Sequence, residues 1–287
     1  MSSSSNIRNL GKRLVPPLLA EPLARWWPAT ERAVLEYAPN GWDTIENKAD
    51  SSGWDNESVV AAERAKWDAF CRHARGIGPL GFSHESTDLT ITDNVSYHNI
   101  HLTFAYVLAR VAGQRARISV LDWGGGLGHY YVLGRAVLPE LQLDYRCHEV
   151  PLMCVHGREL CPDVEFCSDD TCLQKEYDLV MINGSLGYFR DWQSTLAQLS
   201  RCAARYLFLT RTLVVNARES FVVLQHTDEY QYNSDMLTQV FNKRELLAVT
   251  ESEGLKIERE FVVGKGPTIM NAPEQCVDSG WLLRRDA

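Results

Sequence analysis

The residues between 122 and 128 have types and a spacing that suit the binding of a ligand. Asp122 closes a short apolar run, and Gly124, Gly126 and Gly128 then alternate with other residues. Glycine lets the backbone turn sharply and lets a ligand approach its N–H groups closely. An apolar segment follows, so the stretch predicts a buried strand, a glycine turn and the start of a helix.

A second carboxylate stands at the distance that nucleotide-type sites require. In such sites, an acidic residue about 20 positions beyond the last glycine accepts hydrogen bonds from ribose hydroxyls. Residues 141–150 form the next predicted strand, with Glu149 at its end and Pro151 placed to open a helix. The dinucleotide pattern G-x-G-x-x-G fits less well, because His129 stands where its third glycine would be.

The elements that position these residues alternate between strand and helix from residue 117 onward. This alternation predicts a parallel sheet, and ligands bind at the carboxyl edge of such sheets. Ser168 and Asp169 follow the third strand and residues 183–188 follow the fourth, so both groups are expected at that edge. The predicted strands are 118–121, 141–150, 164–167, 177–182, 206–210, 255–263 and 280–284.

Residues 1–115 are predicted to form an N-terminal arm and a helical cap, placed before a sheet domain of residues 116–287. Apolar residues at helical spacing predict helices at about 57–74 and 96–112. His101 lies on the apolar stripe of the second helix and is expected in the core, whereas His98 lies off that stripe. The arm (residues 1–30) is basic and bears tryptophans, which suits a membrane surface, its own domain or a second subunit. A homodimer is therefore one arrangement left open.

Composition excludes several classes of function. A net charge of −8 and a pI near 5.5 disfavour nucleic acid as the main partner. No run approaches the 18 or so apolar residues of a membrane span, and no signal peptide is recognisable. The eight cysteines lack zinc-ligand spacing, which predicts reduced, structural thiols in a cytoplasmic protein.

The segment from Asp122 to Gly128 resembles motif I of the class I methyltransferases, which use S-adenosylmethionine (SAM). Six segments fall in one order that is similar to a family of methyltransferases found among bacterial surface-polysaccharide biosynthesis genes. The resemblance implies an α/β fold, with a Rossmann-like sheet of seven strands whose last two form an antiparallel hairpin. It also implies methyl transfer from SAM to a sugar or another polar small molecule. The favoured acceptor atom is an oxygen. The six segments are GWD (residues 41–43), VLDWGGGLG, YRCHEVPLMCVHG, YDLVMINGSLGYFRDW, YLFLTRT and SGWLLRR.

The resemblance also implies roles for single residues. The glycine turn holds the methionine part of SAM, Asp122 orients its ammonium group, and Glu149 accepts from the ribose hydroxyls. Asp169, or Ser168 beside it, lies near the adenine, and residues 183–185 line the face of methyl transfer. The residues expected to bind the cofactor are Asp122, Gly124, Gly126, Gly128, Glu149, Asp169, Asn183 and Ser185.

An insertion at about residues 211–241 is predicted to form a lid over the acceptor, because long loops are usually functional and this one is rich in aromatic residues. A hydroxyl acceptor needs a base near neutral pKa. His226 in the insertion is the first candidate, since imidazole suits that task, and His98 and Tyr188 are the alternatives. The residues expected to bind the acceptor are Arg211, Gln225 and Tyr230.

No metal is expected, because Arg211 stands after the fifth strand, where a divalent site would need oxygen ligands. Three alternative functions stay open. The first is N-methylation of a natural-product intermediate. The second is an NAD-dependent oxidoreductase, which His129 disfavours. The third is an inactive binding subunit, which the intact set of Asp122, glycines and Glu149 disfavours.

Overall fold

The computed structural model describes residues 35–44, 53–86, 88–227, 232 and 235–286. Residues 33–287 form one compact unit. The predicted N-terminal arm (residues 1–30) and Tyr230 lie outside the described residues.

Six α-helices and eleven strands make up the described chain. The helices are α1 (Glu57–Arg75), α2 (Val95–Ala112), α3 (His129–Val137), α4 (Pro151–Leu160), α5 (Trp192–Cys202) and α6 (Lys243–Ser252). The strands are β1 (Leu35–Tyr37), β2 (Arg117–Trp123), β3 (Gln142–His148), β4 (Glu165–Cys167), β5 (Tyr177–Asn183), β6 (Ala203–Val215), β7 (Phe221–His226), β8 (Asp235–Asn242), β9 (Leu255–Gly264), β10 (Ile269–Met270) and β11 (Val277–Arg285).

Seven of these strands form the central sheet in the order β4-β3-β2-β5-β6-β11-β9. The first five are parallel, and β11 runs antiparallel between β6 and β9. The predicted Rossmann-like α/β fold, with seven strands and an antiparallel final pair, is confirmed. The final pair is not a simple hairpin, because the short strand β10 intervenes between β9 and β11 and pairs with β1.

The predicted insertion (residues 211–241) is built largely from strands. It contains the end of β6, all of β7 and most of β8. Strands β7 and β8 are antiparallel, and β8 joins the central sheet through the last residues of β6. On the other side, β7 pairs with β1, so β10, β1, β7 and β8 extend the sheet. The apolar run Phe221–Val223 explains this outcome, because all three side chains are buried in the extension.

The two N-terminal helices share one hydrophobic core with the sheet. Phe70 on α1 and Phe104 on α2 are almost fully buried, in the same cluster as Leu133 on α3 and Val120 on β2. Because this core runs from the helices into the sheet, the segments on either side of residue 115 fold as parts of one unit. No helix within the described ranges is long and apolar enough to cross a membrane.

Candidate functional site

The glycine turn lies between β2 and α3, at the carboxyl edge of the central sheet. Gly124, Gly126 and Gly128 all have positive φ angles, of 77°, 61° and 91°. A Cβ atom on Gly124 would lie only 2.4 Å from Cβ of Ser185, in the segment that follows β5. Position 124 therefore requires glycine for two reasons: the positive φ angle and the close approach of the neighbouring segment.

Glu149, directly after β3, holds the turn in place. Its two carboxylate oxygens accept hydrogen bonds from the Gly126 N–H at 2.9 Å and the Val150 N–H at 2.8 Å. Burial raises the pKa of Glu149, while these two main-chain donors oppose the rise. Each oxygen keeps a second lone pair, so the carboxylate can still accept from a ligand's hydroxyl groups.

Asp122 lies beneath the turn and is fully buried. The Tyr145 hydroxyl donates to its Oδ2 at 2.7 Å, and its Oδ1 has no hydrogen-bond partner among the described residues. Burial raises the pKa of Asp122 to about 7, although the Tyr145 hydrogen bond opposes the rise. A cation brought to this carboxylate would favour its charged form.

Three further residues predicted to contact the cofactor follow β4 and β5. Asp169 is exposed and caps a short 3-10 helix, because its side chain accepts from the Thr171 N–H. Asn183 ends β5, and its side chain contacts Tyr130 at the start of α3. The Ser185 hydroxyl donates to the Trp123 carbonyl, which joins the segment after β5 to the glycine turn.

Three side chains that we call the Glu–His cluster lie beside the turn: Glu63 on α1, His84 before α2 and His129 at the start of α3. The imidazole rings of His84 and His129 stack, with centroids 4.2 Å apart. His129 Nε2 lies 3.7 Å from Glu63 Oε2. A Cβ atom on Gly126 would lie 3.2 Å from His129 Nδ1, so the imidazole lies over the glycine turn.

Arg211 on β6 lies near this cluster and pairs with Glu85 at 2.5 Å. Its φ angle of 53° is left-handed, which is unusual for a residue with a side chain and typical of functional sites. Burial disfavours the charged guanidinium, yet Glu85 and Tyr130 outweigh it and raise the pKa of Arg211. The ion pair thus holds the guanidinium in a fixed position at the carboxyl edge.

Tyr188 and Gln225 are linked to the Glu–His cluster by a chain of aromatic contacts. The Tyr188 hydroxyl donates to Gln225 Oε1 at 2.7 Å, and its ring meets Trp54 edge-on. Trp54 in turn contacts Tyr232, whose hydroxyl donates to Glu63. The structure therefore brings three predicted residues to the same edge as the Glu–His cluster, namely Arg211, Gln225 and Tyr188.

His226 and His98 lie elsewhere. The His226 imidazole faces Asp235, with Nδ1 and Oδ1 2.9 Å apart. Adjacent strand residues point to opposite faces, so His226 lies on the face of β7 away from Gln225 and Tyr188. His98 accepts from the Leu80 N–H at 3.0 Å. The geometry supports neither as the base at this edge.

Sequence reasoning missed the Glu–His cluster, although one signal for it was present. Glu63 falls at helical spacing between Val60 and Trp67, on the stripe that α1 buries, and it is only 3% exposed. A carboxylate on an apolar stripe is unusual enough to mark a functional position. His129 was considered only as a missing glycine, and His84 lies in an irregular segment whose path the sequence does not predict.

No protein-family profile matches this chain, and no curated protein matches it in sequence. Among solved structures, magnesium protoporphyrin IX methyltransferase from Synechocystis PCC 6803 with bound SAM matches with a TM-score of 0.45 and 14% identity. That match covers 78% of this chain and 97% of the other.

Two further solved structures are similar at the same level. An O-methyltransferase family protein from Burkholderia thailandensis has a TM-score of 0.44 and 19% identity, over 80% of this chain and 72% of the other. An amino pentose methyltransferase from Micromonospora echinaspora, with SAM bound, has a TM-score of 0.43 and 16% identity, over 65% and 91%.

Proposed function

We propose that the protein is a SAM-dependent methyltransferase that acts on an oxygen of a polar small molecule or sugar. The observation that carries the proposal is the glycine turn held by Glu149 at the carboxyl edge of a seven-stranded sheet. Ligands bind at this edge in open α/β sheets, and the start of α3 offers unpaired N–H groups to a carboxylate.

The cofactor's groups match the donors and acceptors of the turn. The amino acid carboxylate of SAM would meet the N–H groups at the start of α3, and its ammonium would lie towards Asp122. The ribose hydroxyls would donate to the free lone pairs of Glu149. Asp169 and Ser168 follow β4 and are exposed, so they remain available to the adenine.

The acceptor would bind at Arg211, Tyr188 and Gln225, beside the Glu–His cluster. These groups offer hydrogen bonds to hydroxyls rather than an apolar surface, which suits a polar acceptor. Most of the rate enhancement in such a transfer comes from holding the acceptor atom in line with the sulfonium methyl group. A rigid, paired Arg211 serves that purpose, because its guanidinium is fixed by Glu85.

Incubation of the chain with SAM labelled in its methyl group tests this proposal. The acceptors would be sugars, amino sugars and their nucleotide-linked forms, and the product would be identified by mass and by NMR. We expect label on an acceptor oxygen, and its loss in the Glu149→Gln variant. Label found only on nitrogen would show that the acceptor atom is nitrogen and not oxygen. NAD-dependent oxidation of these compounds without any methylation would overturn the proposal.

A further inference from the structure

The Glu–His cluster contains polar atoms that nothing else among the described residues satisfies. His129 is only 1% exposed, and neither of its ring nitrogens has a hydrogen-bond partner among the described residues. The same holds for Oε2 of Glu63, which is 3% exposed. Leaving a buried polar atom without a hydrogen bond lowers stability by about 1–3 kcal/mol. Three such atoms side by side therefore indicate that a ligand binds them.

The other oxygen of Glu63 is already engaged, and this fixes the direction of the carboxylate. Oε1 accepts from Lys66 Nζ at 3.0 Å and from the Tyr232 hydroxyl. Oε2 is left to face His129 Nε2. Outer hydrogen bonds of this kind orient the ligand atoms of metal sites.

We propose that the Glu–His cluster binds one divalent transition-metal ion, through Glu63 Oε2, His129 Nε2 and a ring nitrogen of His84. One ligand atom from each residue lies within 4.8 Å of the others. Ligand atoms around a tetrahedral ion with bonds of about 2.0–2.1 Å stand about 3.3 Å apart. Small movements of the side chains would therefore close the site, and His84 can supply them because it lies outside helices and strands.

The chemistry of the three ligands selects the kind of ion. Two imidazoles and one carboxylate suit zinc and related transition metals, whereas calcium and magnesium prefer oxygen ligands. A neutral imidazole has a nitrogen lone pair that it can offer to a metal ion, and both rings of the cluster can serve in this way.

Three protein ligands leave at least one coordination position open, as in catalytic rather than structural sites. His129 would hold the ion through Nε2 while its Nδ1 faces Gly126, so one imidazole ring would separate the ion from the glycine turn. A metal ion lowers the pKa of a hydroxyl that it binds. The acceptor would then be a compound that offers an oxygen to the metal, a consequence that rests on the proposed function. The prediction from the sequence that no metal binds rests only on the residues that follow β5 and β6, and it does not bear on the Glu–His cluster.

Titration of the metal-free full-length chain with Zn²⁺, followed by calorimetry, tests the site without any methyl transfer. Titration with Co²⁺ adds an absorption spectrum that separates nitrogen and oxygen ligands from thiolates, which matters because the chain has eight cysteines. We expect one ion per chain and a cobalt spectrum without thiolate charge-transfer bands. Loss of an outer-shell partner costs about 10–100-fold in metal affinity, so His84→Ala and Glu63→Gln should each cost at least about 100-fold.

His156→Ala is the control, because it removes another partly buried histidine, on α4, whose side chain contacts Arg64 rather than any of the three ligands. It should leave metal affinity unchanged. Circular dichroism would show that the variants fold. No bound ion, a thiolate spectrum, or equal affinity in native and His84→Ala chains would each overturn the metal site. A separate SAM titration distinguishes the two proposals: metal binding without SAM binding would support the site and contradict the proposed function.

Discussion

Asp122 and Glu149 are two carboxylates beside the same glycine turn, but their surroundings differ. Glu149 accepts from two main-chain N–H groups, which favour its charged form against the cost of burial. Asp122 has one hydrogen bond, from Tyr145, and an oxygen without a partner among the described residues. In the ligand-free chain, Glu149 therefore positions the turn, whereas Asp122 holds a proton near neutral pH.

The raised pKa of Asp122 predicts a loss of stability as the pH rises. Its pKa is about 7 in the folded chain and 3.8 as the ordinary value. Between these values the folded state binds one more proton than the unfolded state, so stability falls by about 1.4 kcal/mol per pH unit. Between pH 5 and pH 7, the free energy of unfolding measured in urea should fall by about 2 kcal/mol more for the native chain than for the Asp122→Asn variant. Parallel pH profiles would show that Asp122 ionises normally.

His226 is expected to stabilise the fold rather than to take part in catalysis. It is buried and faces Asp235 across the β7–β8 pair. His226→Ala should lower the free energy of unfolding by about 1–3 kcal/mol and leave SAM affinity unchanged. Urea unfolding and calorimetry measure these two effects. A stable variant that has lost only methyl transfer would return His226 to the role of base.

Among the elements, the glycine turn and the segment after β5 form one closely packed edge. Ser185 contacts the turn twice, through its Cβ against Gly124 and through its hydroxyl on the Trp123 carbonyl. This contact fixes the separation between the ends of β2 and β5, which are hydrogen-bonded neighbours in the sheet. The turn is thus positioned by its neighbours as well as by its own sequence.

Two glycine substitutions separate conformational strain from close approach. Gly41→Ala meets a positive φ of 60° with no atom of the described residues within 4 Å, and should cost about 1–2 kcal/mol. Gly124→Ala meets a positive φ and also places Cβ 2.4 Å from the Ser185 side chain, so it should cost about 2–4 kcal/mol. Urea unfolding compares the two variants. Equal losses would mean that Ser185 moves aside without cost.

The elements of the sheet were predictable because each carries a local signal. Apolar runs, glycines and the proline at the start of α4 predicted β2, the turn and the following strand and helix. The segment 211–241 was not predicted as strands, because its pairing depends on β1, which lies far away in the chain. Local patterns do not encode such distant partners.

In the whole molecule, the helices before the sheet complete the site. Glu63 comes from α1 and Glu85 from the segment that leads to α2, while Arg211 comes from β6. These residues are far apart in sequence and meet only because α1 and α2 share a core with the sheet. The glycine turn and Glu149 were therefore predictable from local sequence, whereas the Glu–His cluster and the pair of Arg211 and Glu85 required the fold.

The central claim is that SAM binds against the glycine turn, and calorimetry with the ligand-free chain tests it most directly. We predict micromolar binding of SAM and of its demethylated product, about −8 kcal/mol, and no heat with NAD. Glu149→Gln should weaken this binding. Gly126→Val should abolish it, because a side chain there has a φ of 61° and would lie 3.2 Å from His129 Nδ1. Binding of NAD with no response to SAM would contradict the account.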